Sequence, residues 1–393
     1  MFSFKNIYSV YLQYRKNKRN TSNQLLFESN LITNLWELHQ QLNEKTYKIG
    51  KSICFLTSSP KLREVFASDF KDRIVHHILV NQLEAFYEKR FISDVYSNRK
   101  GKGIHNAMKK AQSCMNATYG GYYLQLDIKG FFYNLDKNIL FMKIFKEISA
   151  LVLSGGAKAP IPRAEGNVAL ASSGGAKAPL PTKEILWLAN KIIYHNPTIN
   201  YVFKGDKSKL ALLPDHKTLF KIPKHKGLPI GNLTSQFFAN VYMNDFDNFV
   251  KRKLKVKHYI RYVDDFVLFD NSKERLEYLY KEIEHYLKEE LGLVLRADTK
   301  LNKHEQGLDF LGYIIRPNYI LSRKRVVNNF KQKKAQYLEQ YEKEKGKMNR
   351  SEIKQFLSVK ASFESHIKHS NSFNLQKKVG ELNENNPFDY DRA

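Results

Sequence analysis

Apolar and polar positions alternate through YYLQLDI, residues 122 to 128. Leu124, Leu126 and Ile128 fall on one face of an extended chain, and Tyr123, Gln125 and Asp127 on the other, so the segment predicts a strand. The period then lengthens to that of a helix from Ile139 to Ile148. GLPIGNLTSQFFANVYMNDFDNFV, residues 227 to 250, opens on turn-forming residues and continues as a helix. Asn232, Thr234 or Ser235 supplies its cap, and Phe238, Val241, Tyr242 and Phe249 its buried stripe. Two β-prone runs, 259–263 and 266–269, flank a turn and predict a hairpin. Residues 273 to 291 place Leu276, Leu279, Ile283, Leu287 and Leu291 on one helical face, with Gly292 as the stop. A strand at 293–296, the segment DFLGYII and a basic helical tail follow. The order β-α-(insertion)-α-β-β-α-β is that of a split βαβ, a ferredoxin-like sheet in an α+β fold.

Around this centre lie a mostly helical region, 1 to 60, ending at a Pro60 break, and a stretch of basic loops that includes SNRKGKGIH at 97–105. Residues 151–182 stand apart. SGGAKAP occurs at 154–160 and again at 173–179, in a composition too poor in apolar side chains to offset the entropy of ordering, which predicts a surface insertion.

Charge narrows the partners. There are 65 Lys and Arg against 39 Asp and Glu, a formal net charge of +26, and 13% of residues are aromatic. A cationic chain with interspersed rings suits a polyanion whose bases stack, which puts nucleic acid ahead of a membrane surface. The 2 cysteines, Cys54 and Cys114, lie far apart and offer neither a disulfide framework nor a zinc spacing, as expected of a reducing, cytoplasmic setting. No uninterrupted apolar run is long enough for a membrane span, and the first residues lack the pattern of a secretory signal.

The chemistry concentrates in HYIRYVDDFVLFD, residues 258 to 270. Two like charges ~4 Å apart repel by roughly 4 kcal/mol at an effective dielectric near 20. Asp264 and Asp265 are therefore either a solvated turn or a cation site. Asp127, on the polar face of its own strand, is the candidate third carboxylate. Few carboxylates plus substrate phosphates suit Mg²⁺, and a pair of such ions clamps the attacking and departing oxygens of an in-line phosphoryl transfer. His76-His77 and His366/His369 have no partners at metal-ligand spacing.

Five segments in order resemble the motifs of reverse transcriptases. KLREVFASDFKDRIVHH (61–77) is similar to the first fingers motif, DIKGFF (127–132) to motif A and LPIGNLTSQ (228–236) to motif B. YVDD (262–265) is similar to motif C and DFLGY (309–313) to the primer grip. SRKRV (322–326) and residues 351–375 resemble the family's C-terminal part. The resemblance implies a polymerase right hand: an N-terminal helical region at 1–60, fingers at 61–120, a palm at 121–315 carrying the 151–182 insertion, and a small basic helical thumb at 316–393. It implies RNA-directed DNA synthesis on two Mg²⁺ ions, with Mn²⁺ as a substitute, and template RNA, a cDNA or primer strand and dNTPs as partners. Asp127 and Asp264 would be the principal ligands, with the Ile128 carbonyl assisting and Asp265 more peripheral. Lys61 and Arg63 would hold the triphosphate, Phe132 would exclude a ribose 2′-hydroxyl, and Lys300 would protonate the leaving pyrophosphate. Ile230, Gly231 and Gln236 would line the nucleotide, and Tyr262 and Gly312 the primer-template.

Motif B narrows the resemblance further. Ile230 stands before Gly231 where many relatives have Gln, and Ser235-Gln236 closes the segment. That form is most like the enzymes of diversity-generating retroelements, related to those of group II introns and retrons. Those enzymes err opposite template adenine and work with a small basic helical accessory protein. An apolar Ile230 cannot make the hydrogen bonds of Gln near the nascent pair, which fits such errors. Two alternatives stand beside this reading: an antiphage-defence or other retroelement enzyme, and a catalytically silent RNA-binding scaffold.

Overall fold

The computed structural model describes residues 1–16, 21–58, 61–153, 181–344 and 349–377. Pro60 and both SGGAKAP copies lie outside them. Among the described residues there are ten strands: β1 (Ser52–Thr57), β2 (Arg63–Ala67), β3 (Tyr122–Asp127), β4 (Tyr201–Lys204), β5 (His258–Tyr262), β6 (Asp265–Asp270), β7 (Lys300–Lys303), β8 (Leu308–Phe310), β9 (Tyr313–Ile315) and β10 (Ile320–Ser322). With the helices between them they make the α+β fold that the patterning predicts. The residues divide into two compact units. The first holds Met1–Arg99, Asp127–Lys255 and Lys281–Ala297; the second holds Lys100–Leu126, Val256–Tyr280 and Asp298–Ala393.

In the first unit, helices Phe4–Arg15, Ser22–Glu28 and Leu31–Asn43 bury Ile7, Val10, Leu35, Leu38 and Leu42. β1, inside the region read as helical, pairs antiparallel with β2 and parallel with β4, so the hairpin begins before Pro60. Helix Leu233–Asn248 buries twelve side chains, Phe238, Val241 and Tyr242 among them. Asn232 takes its cap position without capping it: the carboxamide instead accepts from Ser68 N and Oγ at 3.3 and 2.8 Å. Phe249 falls just past that helix, where its ring stacks on Tyr286 at 4.3 Å rather than joining the stripe. SNRKGKGIH is only partly a cationic loop. Arg99 grips both oxygens of Glu88 and the carbonyls of Ile92 and Val95, a structural anchor rather than a solvated charge.

In the second unit, β5, β6, β3 and β7 form one sheet in that order. Numbered along the chain, the outer pair is the second and last strand and the inner pair the third and first, which is the split βαβ arrangement. β7 replaces the predicted strand at 293–296, which contributes only an isolated bridge between Leu295 and Ile128. Helix Lys273–Leu291, whose residues from Lys281 onward belong to the first unit, buries the five predicted apolar residues, and Gly292 ends it at φ 61°. β8, β9 and β10 make a small antiparallel sheet, followed by helices Lys324–Lys343 and Arg350–Ile367. Phe330 and Phe363 stack between these two helices with ring centroids 4.0 Å apart. Among the described residues no helix is long and apolar enough to cross a membrane.

Candidate active site

Within the first unit three segments meet that the sequence places far apart. The Phe66 N–H, near the end of β2, donates to the Ile230 carbonyl at 3.0 Å, so motif B lies along the strand that Arg63 begins. Gly231 has φ 113°, and a Cβ there would stand 2.8 Å from Val65 Cγ1 and 3.3 Å from the Phe66 carbonyl, so glycine is needed for the close approach. The Leu228 N–H donates to the Phe132 carbonyl at 2.8 Å, which brings motif A to the same place. Phe132 is half-buried against Phe131, while Lys61, Arg63 and Gln236 are exposed. Glu64, between Arg63 and Val65, turns inward. It accepts from Thr218 Oγ1 at 2.5 Å and Leu219 N at 2.9 Å, and burial pushes its carboxyl above the usual range.

Asp127, the last residue of β3, is held from residues 294 to 296. The Arg296 N–H donates to its carbonyl at 2.9 Å, and Arg296 Nη1 reaches Oδ2 at 3.2 Å, with both side chains 38% exposed. The Lys129 N–H donates to the Val294 carbonyl at 2.8 Å. These two bonds flank the Ile128–Leu295 bridge and make it a non-hydrogen-bonded pair, so the Ile128 carbonyl points away from Leu295.

The second unit positions the paired carboxylates. Tyr262 pairs with Asp265 across the β5–β6 hairpin, leaving Val263 and Asp264 as a two-residue turn. The predicted strands run to 263 and from 266; the observed pairing keeps a two-residue turn and shifts it one position earlier, to 263–264. Val263 has φ 60°. A left-handed first residue is the arrangement in which hairpins ordinarily require Gly, and a β-branched side chain there is strained. Asp264 thus sits at the tip and Asp265 begins the strand. Gln125 Nε2 donates to Asp265 Oδ1 at 3.3 Å and Oδ2 at 3.5 Å, and to the Asp309 carbonyl at 3.0 Å. Lys300 is exposed and pairs with Gln125 across the β3–β7 ladder. Burial raises the Tyr262 hydroxyl above its usual pKa.

At the grip, Phe310 pairs with Tyr313 around Leu311 and Gly312, both with positive φ, 53° and 92°. A Cβ on Gly312 would stand 3.2 Å from His366 Cε1. Turn geometry and this imidazole therefore account for the glycine within the unit. Among the described residues no three His, Cys, Asp or Glu side chains are grouped so as to hold a metal ion. The donors named by resemblance, carboxylates and one main-chain carbonyl, are the hard oxygens that Mg²⁺ takes.

Arg261, Gln125 and Arg296 lie outside the motif segments, and Glu64, inside the first fingers segment, has no role that the resemblance assigns. Arg261 alone left a signal, a charged residue inside an apolar strand.

Residues 189–315 match the family described as reverse transcriptase (RNA-dependent DNA polymerase). That span contains the segments that resemble motif B, motif C and the primer grip. Over 310 residues it is 24% identical to the group II intron-encoded protein LtrA of Lactococcus lactis subsp. cremoris, covering 70% of this chain and 49% of the relative. The chain thus spans about half the length of the curated relatives it matches. Among solved structures, it resembles telomerase from Candida albicans in complex with a TWJ fragment of telomeric RNA, at TM-score 0.45 and 12% identity over 76% of this chain and 54% of that one. It resembles telomerase from Candida tropicalis in the same kind of complex at TM-score 0.45 and 11% identity, over 90% of this chain and 59% of that one.

Proposed function

We propose that the chain is an RNA-directed DNA polymerase that copies a template RNA into cDNA from dNTPs. The observation that carries this reading is the reverse transcriptase match over 189–315, which includes the hairpin tip where Tyr262, Asp264 and Asp265 sit together. Asp127 and Asp264 are assigned as the principal Mg²⁺ ligands, with the Ile128 carbonyl assisting and Asp265 at the periphery. When bound, the ions supply charge stabilisation to the attacking 3′-oxygen and the pyrophosphate. Mn²⁺ suits the same hard oxygens.

The residues divide the remaining work. Arg63, exposed at the head of β2, offers a forked donor to triphosphate oxygens, and Lys61 a point charge. Phe132 is assigned to exclude a 2′-hydroxyl, and Ile230, Gly231 and Gln236 to flank the nascent pair. Tyr262 and Gly312 are assigned to the primer-template. Lys300, exposed on β7, is assigned as the acid for the leaving group. A cytoplasmic location belongs to the same reading.

The finer reading is an enzyme of a diversity-generating retroelement, error-prone at adenine and assisted by a small basic helical protein. The I-G-x-x-x-S-Q form of residues 230–236 supports it. Purified protein incubated with a primed RNA template, dNTPs and Mg²⁺ tests the general proposal. Extension is expected, and template-independent or absent incorporation overturns it.

A further inference from the structure

The strained tip of the β5–β6 hairpin raises the question of what holds it. Val263 at φ 60° is a β-branched residue in a conformation that costs of order 1–3 kcal/mol and persists only where its surroundings over-determine it. One such constraint is visible within the hairpin. Arg261, two residues earlier on β5, is 0% exposed and is among the largest fully buried side chains of the described residues. Its Nη1 donates to the Val263 carbonyl at 2.8 Å.

That carbonyl belongs to the peptide leading into Asp264. Fixing its direction fixes the plane of that peptide, and with it the direction in which the Asp264 side chain leaves the tip. Removing a guanidinium from water costs several kcal/mol unless its donors are satisfied, and the Val263 carbonyl is one acceptor that satisfies it. An apolar residue would otherwise suit this position, since Tyr259, Ile260 and Phe266 to Phe269 around it are all buried. The bond is also charge-assisted, which makes it one of the stronger ways to hold a carbonyl.

We propose that Arg261 is a positioning residue for the paired-carboxylate turn. It braces the Val263 carbonyl so that the left-handed Val263 persists and Asp264 is presented in one orientation. The proposal rests on the reading of Asp264 as a metal ligand. It assigns Arg261 no contact with substrate.

The test is a double-mutant cycle between Arg261→Met and Val263→Gly, read by the Mg²⁺ concentration for half-maximal primer extension and by kcat and KM separately. Met keeps the volume and removes the donor, whereas glycine adopts positive φ without strain and makes a brace redundant. Arg261→Met is expected to raise half-saturating Mg²⁺ about tenfold and to lower kcat more than it changes dNTP KM. In the Val263→Gly background the same substitution is expected to have a threefold effect or less. Arg261→Lys, which keeps a charged donor, covers the case in which Met at 261 prevents folding, and is expected to fall between. An equal loss in both backgrounds, or a lowered melting temperature with unchanged Mg²⁺ dependence, overturns the proposal. Asp264→Asn assayed alongside separates the two readings. If it still extends primers, the metal-ligand assignment has failed. If it is inactive while Arg261→Met keeps normal Mg²⁺ dependence, the brace alone has failed.

Discussion

Arg296 holds Asp127 at two points, its main-chain N–H on the aspartate carbonyl at 2.9 Å and Nη1 on Oδ2 at 3.2 Å. The first bond aligns the strand end. The second places a cation on the carboxylate assigned to Mg²⁺. Because both side chains are 38% exposed, solvent screening limits such a pair to about 0–1 kcal/mol. Arg296→Met is therefore expected to lower half-saturating Mg²⁺ by up to about fivefold, read by titrating primer extension. An unchanged or higher Mg²⁺ requirement would show that the guanidinium does not compete for Asp127.

Gly231→Ala places a Cβ 2.8 Å from Val65 Cγ1 at a backbone φ of 113°. Substituting a side chain into such a conformation costs roughly 1–3 kcal/mol. The expected outcome is a lower melting temperature together with a several-fold rise in dNTP KM, measured by thermal unfolding and steady-state kinetics. A variant with wild-type values of both contradicts the close packing of motif B on β2.

Ile230→Gln restores a hydrogen-bonding side chain beside Gly231. Misincorporation opposite template adenine is expected to fall severalfold relative to the other three template bases, as read from sequenced cDNA. An unchanged error spectrum removes Ile230 from the fidelity argument.

His76 is buried, and desolvation, aided by His77, His195 and Arg73, lowers its pKa to about 3. The folded state therefore holds it neutral while the unfolded chain protonates it below about 6.5. Its contribution to stability is complete above the unfolded value and is lost as pH falls from there toward 3. The wild type's stability relative to His76→Gln is expected to change by roughly 2 kcal/mol against the wild type between pH 7 and pH 5. Asp72, whose carboxyl burial lifts to about 6, acts in the opposite sense but cancels in this comparison. Denaturant titrations at the two pH values check it, and a pH-independent difference contradicts it.

Much of this architecture was legible in the chain. Helix Lys273–Leu291 was readable because its five apolar residues repeat at helical spacing with a glycine after them. β3 alternated, and the paired aspartates stood between apolar runs. β1 and β4 were not legible, because SICFLT and YVFK are short and pair with each other across a long sequence separation. The strand at 293–296 gave way to Lys300–Lys303, whose partners on β3 no local pattern announces. Asn232 sat at its predicted cap position, but Ser68, distant in sequence, took its side chain. Arg261 and Gln125 act on neighbours through carbonyl and carboxylate contacts that only the folded hairpin and sheet create.

The proposed function depends first on Asp264 as a ligand of the catalytic metal. Mg²⁺-dependent primer extension by Asp264→Asn, measured beside RNA binding by the same preparation, tests it most directly. Loss of cDNA synthesis by at least about a thousandfold with RNA binding retained is the predicted result. Extension at a rate near that of the wild type contradicts it.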